Sequence, residues 1–336
     1  DRVIASAEPN NVPGVPDEEE AIDQSIANPI GTKRIEELAR GKKTAVILVD
    51  DESRPTPAYK VLPTVLERLN EAGIKDKNVT IIVAEGTHRY NTEDEVEAKI
   101  GKETMDRIRV EQHNARAMSD DMFTYIGTTS MGIPIRVNKI YAKADFKMGI
   151  GYVVPHFLAG FTGGSKIIQP GVCDAEATNR VHWNAMEKAR RNSPLGTIGN
   201  PFRDASNEIA RMSGLDMVVD LVLNLEKEIV KVMVGDVVEA WVAAAAESLK
   251  IYGVKIPDKA EIVIADSHPR DVDLWKAQFA MIPVGKAIKE RGSIGFIAPC
   301  SKELAPERSA TLFAKYGFMR FDKIASHVRE EAFKGA

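Results

Sequence analysis

Thr44-Ala-Val-Ile-Leu-Val49 is followed at once by Asp50-Asp-Glu-Ser-Arg-Pro55. The first six residues form a short, unbroken apolar run rich in β-branched side chains. Its length and composition predict a buried strand rather than a helix. The polar residues then fall at the carboxyl end of that strand, where open α/β sheets bind their ligands. A solvated loop leading into a helix N-cap explains the same residues equally well at this point. The pattern repeats downstream. Residues 59–72 place Val61, Leu62, Val65, Leu66 and Leu69 at helical spacing, and Gly73 stops the helix. A strand over 79–84 follows, with Glu85-Gly-Thr-His-Arg89 at its end. A lone histidine is more often a surface residue than a catalyst. Its place after a glycine, in a second strand-end loop, makes His88 a candidate.

Further from that core the same alternation continues. An acidic run over 17–20 opens a helix through 27, since carboxylates near a helix N-terminus are favoured by its dipole. A second helix covers 33–39. Residues 91–108 are helical in character, Val110 starts a strand, 125–129 form a turn between short strands, and 135–140 and 144–150 are strands. A basic helix end covers 184–191, a helix 201–212, a strand 217–223 with a hairpin partner over 227–234, and a helix 237–252. His113 matches no motif and reads as structural. The Pro-containing polar link at 253–258 is the expected domain boundary. Beyond it come a strand at 261–265, a helix over 274–289 interrupted near Pro283, a strand at 293–298 and a charged helical tail. The fold class this predicts is α/β: two α/β domains with mainly parallel sheets, over 1–254 and 258–336, with the active site in the cleft between them.

Composition sets outer bounds. The 336 residues are 44% apolar and 28% charged, as in a soluble globular protein. A net charge of −4 gives no reason to expect nucleic acid as a partner. No run is long enough for a membrane-spanning helix, so no membrane association is expected. The two cysteines, Cys173 and Cys300, are too few for a disulfide framework and fit a reducing, cytoplasmic setting. The chain starts at Asp1 without a methionine or a basic-then-apolar leader, and the expectation is that part of the native N-terminus is not represented.

Chemistry concentrates in KMGIGYVVPHFLAGFTGGSKIIQPGVCDAEATNRVHW, residues 147–183. His156 and His182 bracket the run Gly163-Gly-Ser-Lys166. Glycines let the backbone approach a ligand closely, and consecutive N–H groups in such a run can cradle an anion. A lysine at its end is either a charge for phosphate or, when desolvated, a nucleophilic amine. The phosphate-loop pattern G-x-x-x-x-G-K-[ST] fails: from Gly160, Ser165 stands where the second glycine belongs and Ile167 where the hydroxyl belongs. A nucleotide triphosphatase is therefore not expected.

The run P-H-x-x-A-G-F-T-G-G-S-K-I-I-x-P-G-V, with a histidine sixteen residues after the lysine, resembles the nickel-dependent lactate racemase family. The resemblance covers about residues 8–300. It implies a racemase or epimerase of a small 2-hydroxy acid that uses a nickel pincer nucleotide, pyridinium-3,5-bisthiocarboxylic acid mononucleotide nickel. It implies that Lys166 is tethered to this cofactor through a thioamide, with Gly163, Gly164 and Ser165 beside it. It implies that His182 is the protein ligand of nickel, and that His88 and His156 flank the substrate as acid/base groups, each serving one enantiomer. The family's Asp-x-[ST]-Arg-Pro motif falls on Asp51–Pro55, so Asp51 would contact the cofactor ribose and Arg54 the substrate carboxylate. The reaction implied is reversible proton-coupled hydride transfer through a 2-keto acid. Cofactor-synthesis enzymes are then partners for activation.

The stretch Asp-Leu-Trp-Lys-Ala-Gln-Phe279 departs from the family, which carries a Gln and, three residues later, a Lys near the substrate. Direct alignment brings Lys276 to the Gln position; a short shift brings Gln278 into play. Both are candidate substrate contacts, and the departure predicts a substrate larger than lactate. The C-terminal part also looks short for the family. Two rivals stay open: a zinc hydrolase using His88, His156 and His182 as ligands, and a non-catalytic cofactor-binding protein.

Overall fold

A computed structural model describes residues 3–117, 120–189, 193–268, 271–301, 307–317 and 319–332. The chain divides into two compact units, Glu8–Val254 and a second made of Asp1–Ala7 with Lys255–Ala336. Its strands are β1 Ala45–Asp50, β2 Val79–Ala84, β3 Arg109–Gln112, β4 Phe123–Thr128, β5 Pro134–Asn138, β6 Phe146–Tyr152, β7 Pro155–His156, β8 Gly160–Phe161, β9 Met217–Leu223, β10 Ile229–Gly235, β11 Ala260–Asp266 and β12 Ile288–Ile297.

The unit Glu8–Val254 is built on a six-stranded sheet in the order β10-β9-β6-β1-β2-β3. All neighbours pair in parallel except β10 with β9. β1, the run that opens the sequence argument, lies inside this sheet. Its alternating side chains serve two cores: Ala45, Ile47 and Val49 enter one, Val46 and Leu48 the other. Burial on both faces is why the strand reads as continuously apolar. On the first face pack the helices Glu18–Ala27 and Ala58–Glu71; Val61, Leu62, Val65, Leu66 and Leu69 are buried there, each contributing about 1.5–3 kcal/mol. On the second face pack the helices Ala175–Lys188 and Pro201–Ser213.

The chain runs from β1 outward to β2 and β3, then returns to the other side of β1 with β6. The carboxyl ends of β1 and β6 therefore diverge at a topological switch point, the place where such sheets open a crevice.

Local chemistry accounts for the boundaries. Asp17 caps the first helix by accepting from Glu20 N at 2.9 Å. Residues 91–108 are broken by Gly101, at φ +82°, into the helices Glu93–Ile100 and Lys102–Arg107. Residues 125–128, expected as a turn, are strand: β4 pairs antiparallel with β5, and the turn is at 129–133. The helix expected from 184 starts at Ala175, capped by Asp174, and so includes His182. Of the expected helix end, positions 190 and 191 lie outside the described residues.

In the second unit β11 and β12 pair in parallel. The helix expected over 274–289 is three short pieces, Leu274–Ala277, Gln278–Ala280 and Met281–Ala287, and the strand after it begins at Ile288, well before 293. The helices Glu307–Tyr316 and Phe321–His327 follow. Among the described residues no helix is long and apolar enough to cross a membrane.

Candidate active site

A cavity of about 160 Å³ opens at the switch point. Its walls include Asp51, Arg54, His88, His156, Gly163, Gly164, Lys166 and His182, so eight of the expected site residues meet around one space. All its lining residues belong to the unit Glu8–Val254.

The strand-end loop after β1 supplies Asp51 and Arg54. Lys99, only 5% exposed, reaches under this loop: its ammonium donates to Asp50 Oδ1 at 2.9 Å and to the Arg54 carbonyl at 2.7 Å. Thr56 donates to the other Asp50 oxygen at 2.5 Å. The loop is thus pinned from below, and Arg54 points its guanidinium at the cavity mouth, donating to Ser53 Oγ at 3.0 Å.

The loop after β2 supplies His88. Its Nδ1 faces the Asp51 carboxylate. An ionised carboxylate only accepts, so this contact requires Nδ1–H and leaves the Nε2 lone pair free. Burial pushes the Asp51 carboxyl up, but hydrogen bonds from His88 and Ser53, with the Arg54 charge, outweigh it and hold the group below its ordinary value. An Asp–His pair of this kind is the usual support for a general base.

Lys166 ends a turn that is held from two sides. Arg203, 1% exposed on the helix Pro201–Ser213, donates to Gly163 O at 3.0 Å, to Ser165 Oγ at 3.1 Å and to Phe161 O. Asp220, on β9, accepts the Gly164 N–H with both oxygens at 3.0 Å. Gly163 and Gly164 take φ +72° and +56°, and a Cβ on either would meet Val153 and Asp220, or Trp241, at under 3.0 Å. Only glycine fits there. Ser165 is fully buried and donates to Asn207 Oδ1 at 2.7 Å, so its hydroxyl serves the turn and does not line the cavity.

The amine of Lys166 lies 4.6 Å over the Phe202 ring and, among the described residues, has no hydrogen-bond or ion-pair partner. Burial pushes it well below the usual lysine range, and the Arg54 and Arg203 charges act in the same direction. Burial thus favours the neutral amine, the form that acts as a nucleophile, on a lysine that lines the cavity.

His182 projects from the helix Ala175–Lys188. Its Nδ1 is 2.8 Å from the Thr178 carbonyl one turn back, so Nδ1 donates and the Nε2 lone pair is available. Burial pushes it down to about 4, which keeps the ring neutral, as a metal ligand must be. His156 is turned the other way: Nδ1 accepts from Leu158 N at 3.2 Å and Ala159 N at 3.1 Å, and the ring stacks on Phe157. Burial, followed by the charge of Lys166, holds it well below its ordinary value.

Four residues escaped the sequence reading. Asp50 ends β1 and Glu85 directly follows β2, Asp220 is the one charge inside the apolar run of β9, and Arg203 lies in an ordinary amphipathic helix. A lone carboxylate in a buried strand was the available signal for Asp220. Burial raises its carboxyl to about 7, against the Gly164 bond and the Arg203 charge. Glu85, 3% exposed, is raised to about 8, mainly by burial; Asn91 N donates to Oε1 at 3.1 Å and Oε2 has no partner.

Lys276 and Gln278 belong to the other unit and are not among the lining residues. Asp273 caps the helix Leu274–Ala277 by accepting from Lys276 N at 2.7 Å, and the Lys276 side chain is exposed. His113 is structural as expected: it is 2% exposed and its Nε2 meets the Cys173 carbonyl at 2.9 Å. Among the described residues, no three His, Cys, Asp or Glu side chains are grouped to hold a metal ion by themselves. A three-histidine zinc site is thus not preformed, whereas a single histidine ligand completing a pre-assembled metal complex fits.

Residues 1–193 match the family described as lactate racemase N-terminal domain. The lactate racemase of Thermoanaerobacterium thermosaccharolyticum is 30% identical over 290 residues, and that of Lactiplantibacillus plantarum 30% identical over 287 residues. Each alignment takes in 84% of this chain but 66% of the relative, so the chain spans just under two thirds of their length. The solved lactate racemase apoprotein from Thermoanaerobacterium thermosaccharolyticum superposes with a TM-score of 0.82 at 28% identity, over 90% of this chain and 72% of that one. With the family match extending over more than half of its residues, the chain belongs to the lactate racemase N-terminal domain family.

Proposed function

We propose that this protein is an isomerase that racemises or epimerises a 2-hydroxy acid, with a nickel pincer nucleotide tethered at Lys166. The observation that carries this reading is the Lys166 amine: a lysine with no hydrogen-bond or ion-pair partner among the described residues, at the end of a turn held by Arg203 and Asp220, lining the same cavity as His182 and Arg54. Family membership and the two lactate racemases support the reaction class. Lys166 would form the covalent link, His182 Nε2 would ligate the metal, and Asp51 would meet the ribose. When bound, the cofactor supplies a carbon that accepts and returns hydride.

The protein's own share is orientation and proton handling. Direct deprotonation of a carbon beside an ionised carboxylate is hard, and a hydride route avoids it. Arg54 holds the substrate carboxylate, which its planar fork suits. His88, fixed by Asp51, takes the hydroxyl proton of one enantiomer at Nε2 as the 2-keto acid forms, and His156, on the same cavity, serves the other enantiomer. The departure of Asp273–Phe279 from the family pattern supports a preferred substrate larger than lactate. The zinc reading finds no ligand cluster among the described residues and leaves Lys166 unused.

The test is peptide mass mapping of active protein made alongside the cofactor-synthesis enzymes, with a panel of 2-hydroxy acids assayed for enantiomer interconversion. Added mass on the Lys166 peptide together with interconversion is expected. Active enzyme with an unmodified Lys166 would overturn the reading.

A further inference from the structure

Asp50, Asp51, Glu85 and Asp220 all line the cavity, and each of these carboxyl groups is engaged away from Lys166. Asp50 accepts from Lys99 Nζ at 2.9 Å and from Thr56 Oγ1 at 2.5 Å. Asp51 meets His88 and accepts from Ser53 Oγ at 2.5 Å. Glu85 accepts from Asn91 N at 3.1 Å, and Asp220 from Gly164 N at 3.0 Å. The Lys166 amine therefore lines the same space with no counter-ion and no hydrogen-bond partner among the described residues. Burial, and then the charges of Arg54 on the cavity wall and of Arg203 that holds the turn, keep it well below the usual lysine range. A desolvated amine beside a second cation is the arrangement that activates a lysine toward carbonyl carbon. Arg54 offers a planar guanidinium that suits a carboxylate. A carbonyl joined to a carboxylate, the 2-keto acid pattern, answers both groups at once.

We propose that the cofactor-free protein has a second chemistry: Lys166 captures a 2-keto acid reversibly as an imine, with Arg54 receiving the carboxylate. The choice of a keto acid rests on the hydroxy-acid reading above, whose intermediate belongs to this class. The cavity, about 160 Å³, has the room: roughly 150 Å³ admits benzene, which is no smaller than pyruvate. The step balances without a co-reactant. The amine lone pair forms a C–N bond to the ketone carbon, and the C=O pair moves to oxygen. Both amine hydrogens pass to that oxygen, which leaves as water when the C=N bond closes. Nothing is oxidised or reduced, and water reverses the step. One nitrogen then serves two covalent partners in turn. While the imine stands the tether position is closed, so keto acid and cofactor compete for the same amine, and loading slows where keto acid accumulates.

The test uses the whole chain made in a host without cofactor synthesis. It is mixed with pyruvate at about pH 7, where an ordinary lysine is almost wholly charged, reduced with sodium cyanoborohydride, digested and mapped by mass. The reduced adduct should build up on Lys166 about tenfold or more faster than on Lys102, which is exposed and held in its charged form by Asp106 at 3.1 Å. Labelling of Lys166 no faster than that of Lys102, or no labelling, overturns the proposal. Both lysines are read in one wild-type chain, so no variant has to fold. Acetone, a ketone of similar size without the carboxylate, tests Arg54. The pyruvate-to-acetone ratio at Lys166 should exceed the same ratio at Lys102, and Arg54→Gln should lower it about tenfold, as loss of a hydrogen bond to a charged group does. Equal ratios at the two lysines of the wild-type chain overturn the keto-acid assignment. Pyruvate present during loading should delay the tether mass on the Lys166 peptide, and loading at an unchanged rate overturns the competition. Failure of the hydroxy-acid reading would show differently, as loaded wild-type enzyme that interconverts no enantiomers, whatever Lys166 captures in the cofactor-free chain.

Discussion

Gly164→Ala isolates the demand that the tether turn makes on the backbone. Gly164 sits at φ +56°, a left-handed conformation that costs a residue with a Cβ about 1–2 kcal/mol. The new methyl would also lie 2.8 Å from Trp241 Cγ and Cδ1. Trp241 cannot move aside readily: it is 1% exposed, its indole N–H donates to Thr162 O at 2.8 Å, and Arg203 stacks on its ring 3.8 Å from the centroid. Overpacking of this sort costs about 1–3 kcal/mol. The two contributions arise from different atoms, so together they predict a loss of roughly 2–5 kcal/mol. The Gly164 N–H would be displaced from Asp220 at the same time, moving Lys166 out of register. Equilibrium urea unfolding followed by far-ultraviolet circular dichroism measures the first effect, and the mass of the Lys166 peptide in co-produced protein measures the second. A variant within about 1 kcal/mol of wild type, or one that is tethered as fully as wild type, would show that the turn is not preorganised in this way.

Lys99→Met removes the cation beneath the strand-end loop and leaves Asp50 with Thr56 alone; a stability loss of about 3 kcal/mol and a raised KM from a loosened Arg54 are expected, and an unchanged KM would sink the positioning claim. Glu85 carries its proton to about pH 8 when folded, against an ordinary 4.5, so the folded state binds the extra proton between those values and stability falls as pH rises through that window. Glu85→Gln abolishes this slope, gaining stability on wild type from pH 5 to 8 in paired melting curves; parallel curves would refute the buried neutral acid. His182→Ala should lose nickel on elemental analysis while His88→Ala and His156→Ala retain it, and equal loss from all three would favour the zinc site. Lys276→Ala should weaken turnover of the preferred acid more than that of lactate; lactate proving best in a broad panel, with that preference untouched by the substitution, would contradict the larger-substrate expectation.

The parallel sheet was readable because strands buried on both faces leave continuous apolar runs, and β2 and β9 fall where those runs do. The turn misplaced at 125–128 shows the converse: β4 is half-exposed, its Tyr125 and Thr128 face solvent, and it lacks an apolar signal. His182 was placed by motif spacing, yet the helix presenting it was not, because its apolar stripe is thin and Asp174 capping decides its start. At the site, residues of the glycine-lysine run announced themselves by type and spacing. Arg203 and Asp220 did not, since their role comes from meeting across forty to sixty residues of chain rather than from any local pattern. The orientations of His88 and His156 are set by Asp51 and by two backbone N–H groups, and no sequence pattern records them.

The central claim is hydride-coupled racemisation within one site. It is tested most directly by giving cofactor-loaded enzyme one enantiomer of a turned-over 2-hydroxy acid, deuterated at Cα, in ordinary water, and following the opposite enantiomer by chiral separation and mass spectrometry. The account predicts that the product forms with its deuterium retained, since the hydrogen leaves and returns as hydride without meeting solvent. Product in which the deuterium has been replaced by solvent hydrogen would mean that Cα is deprotonated, and would contradict it.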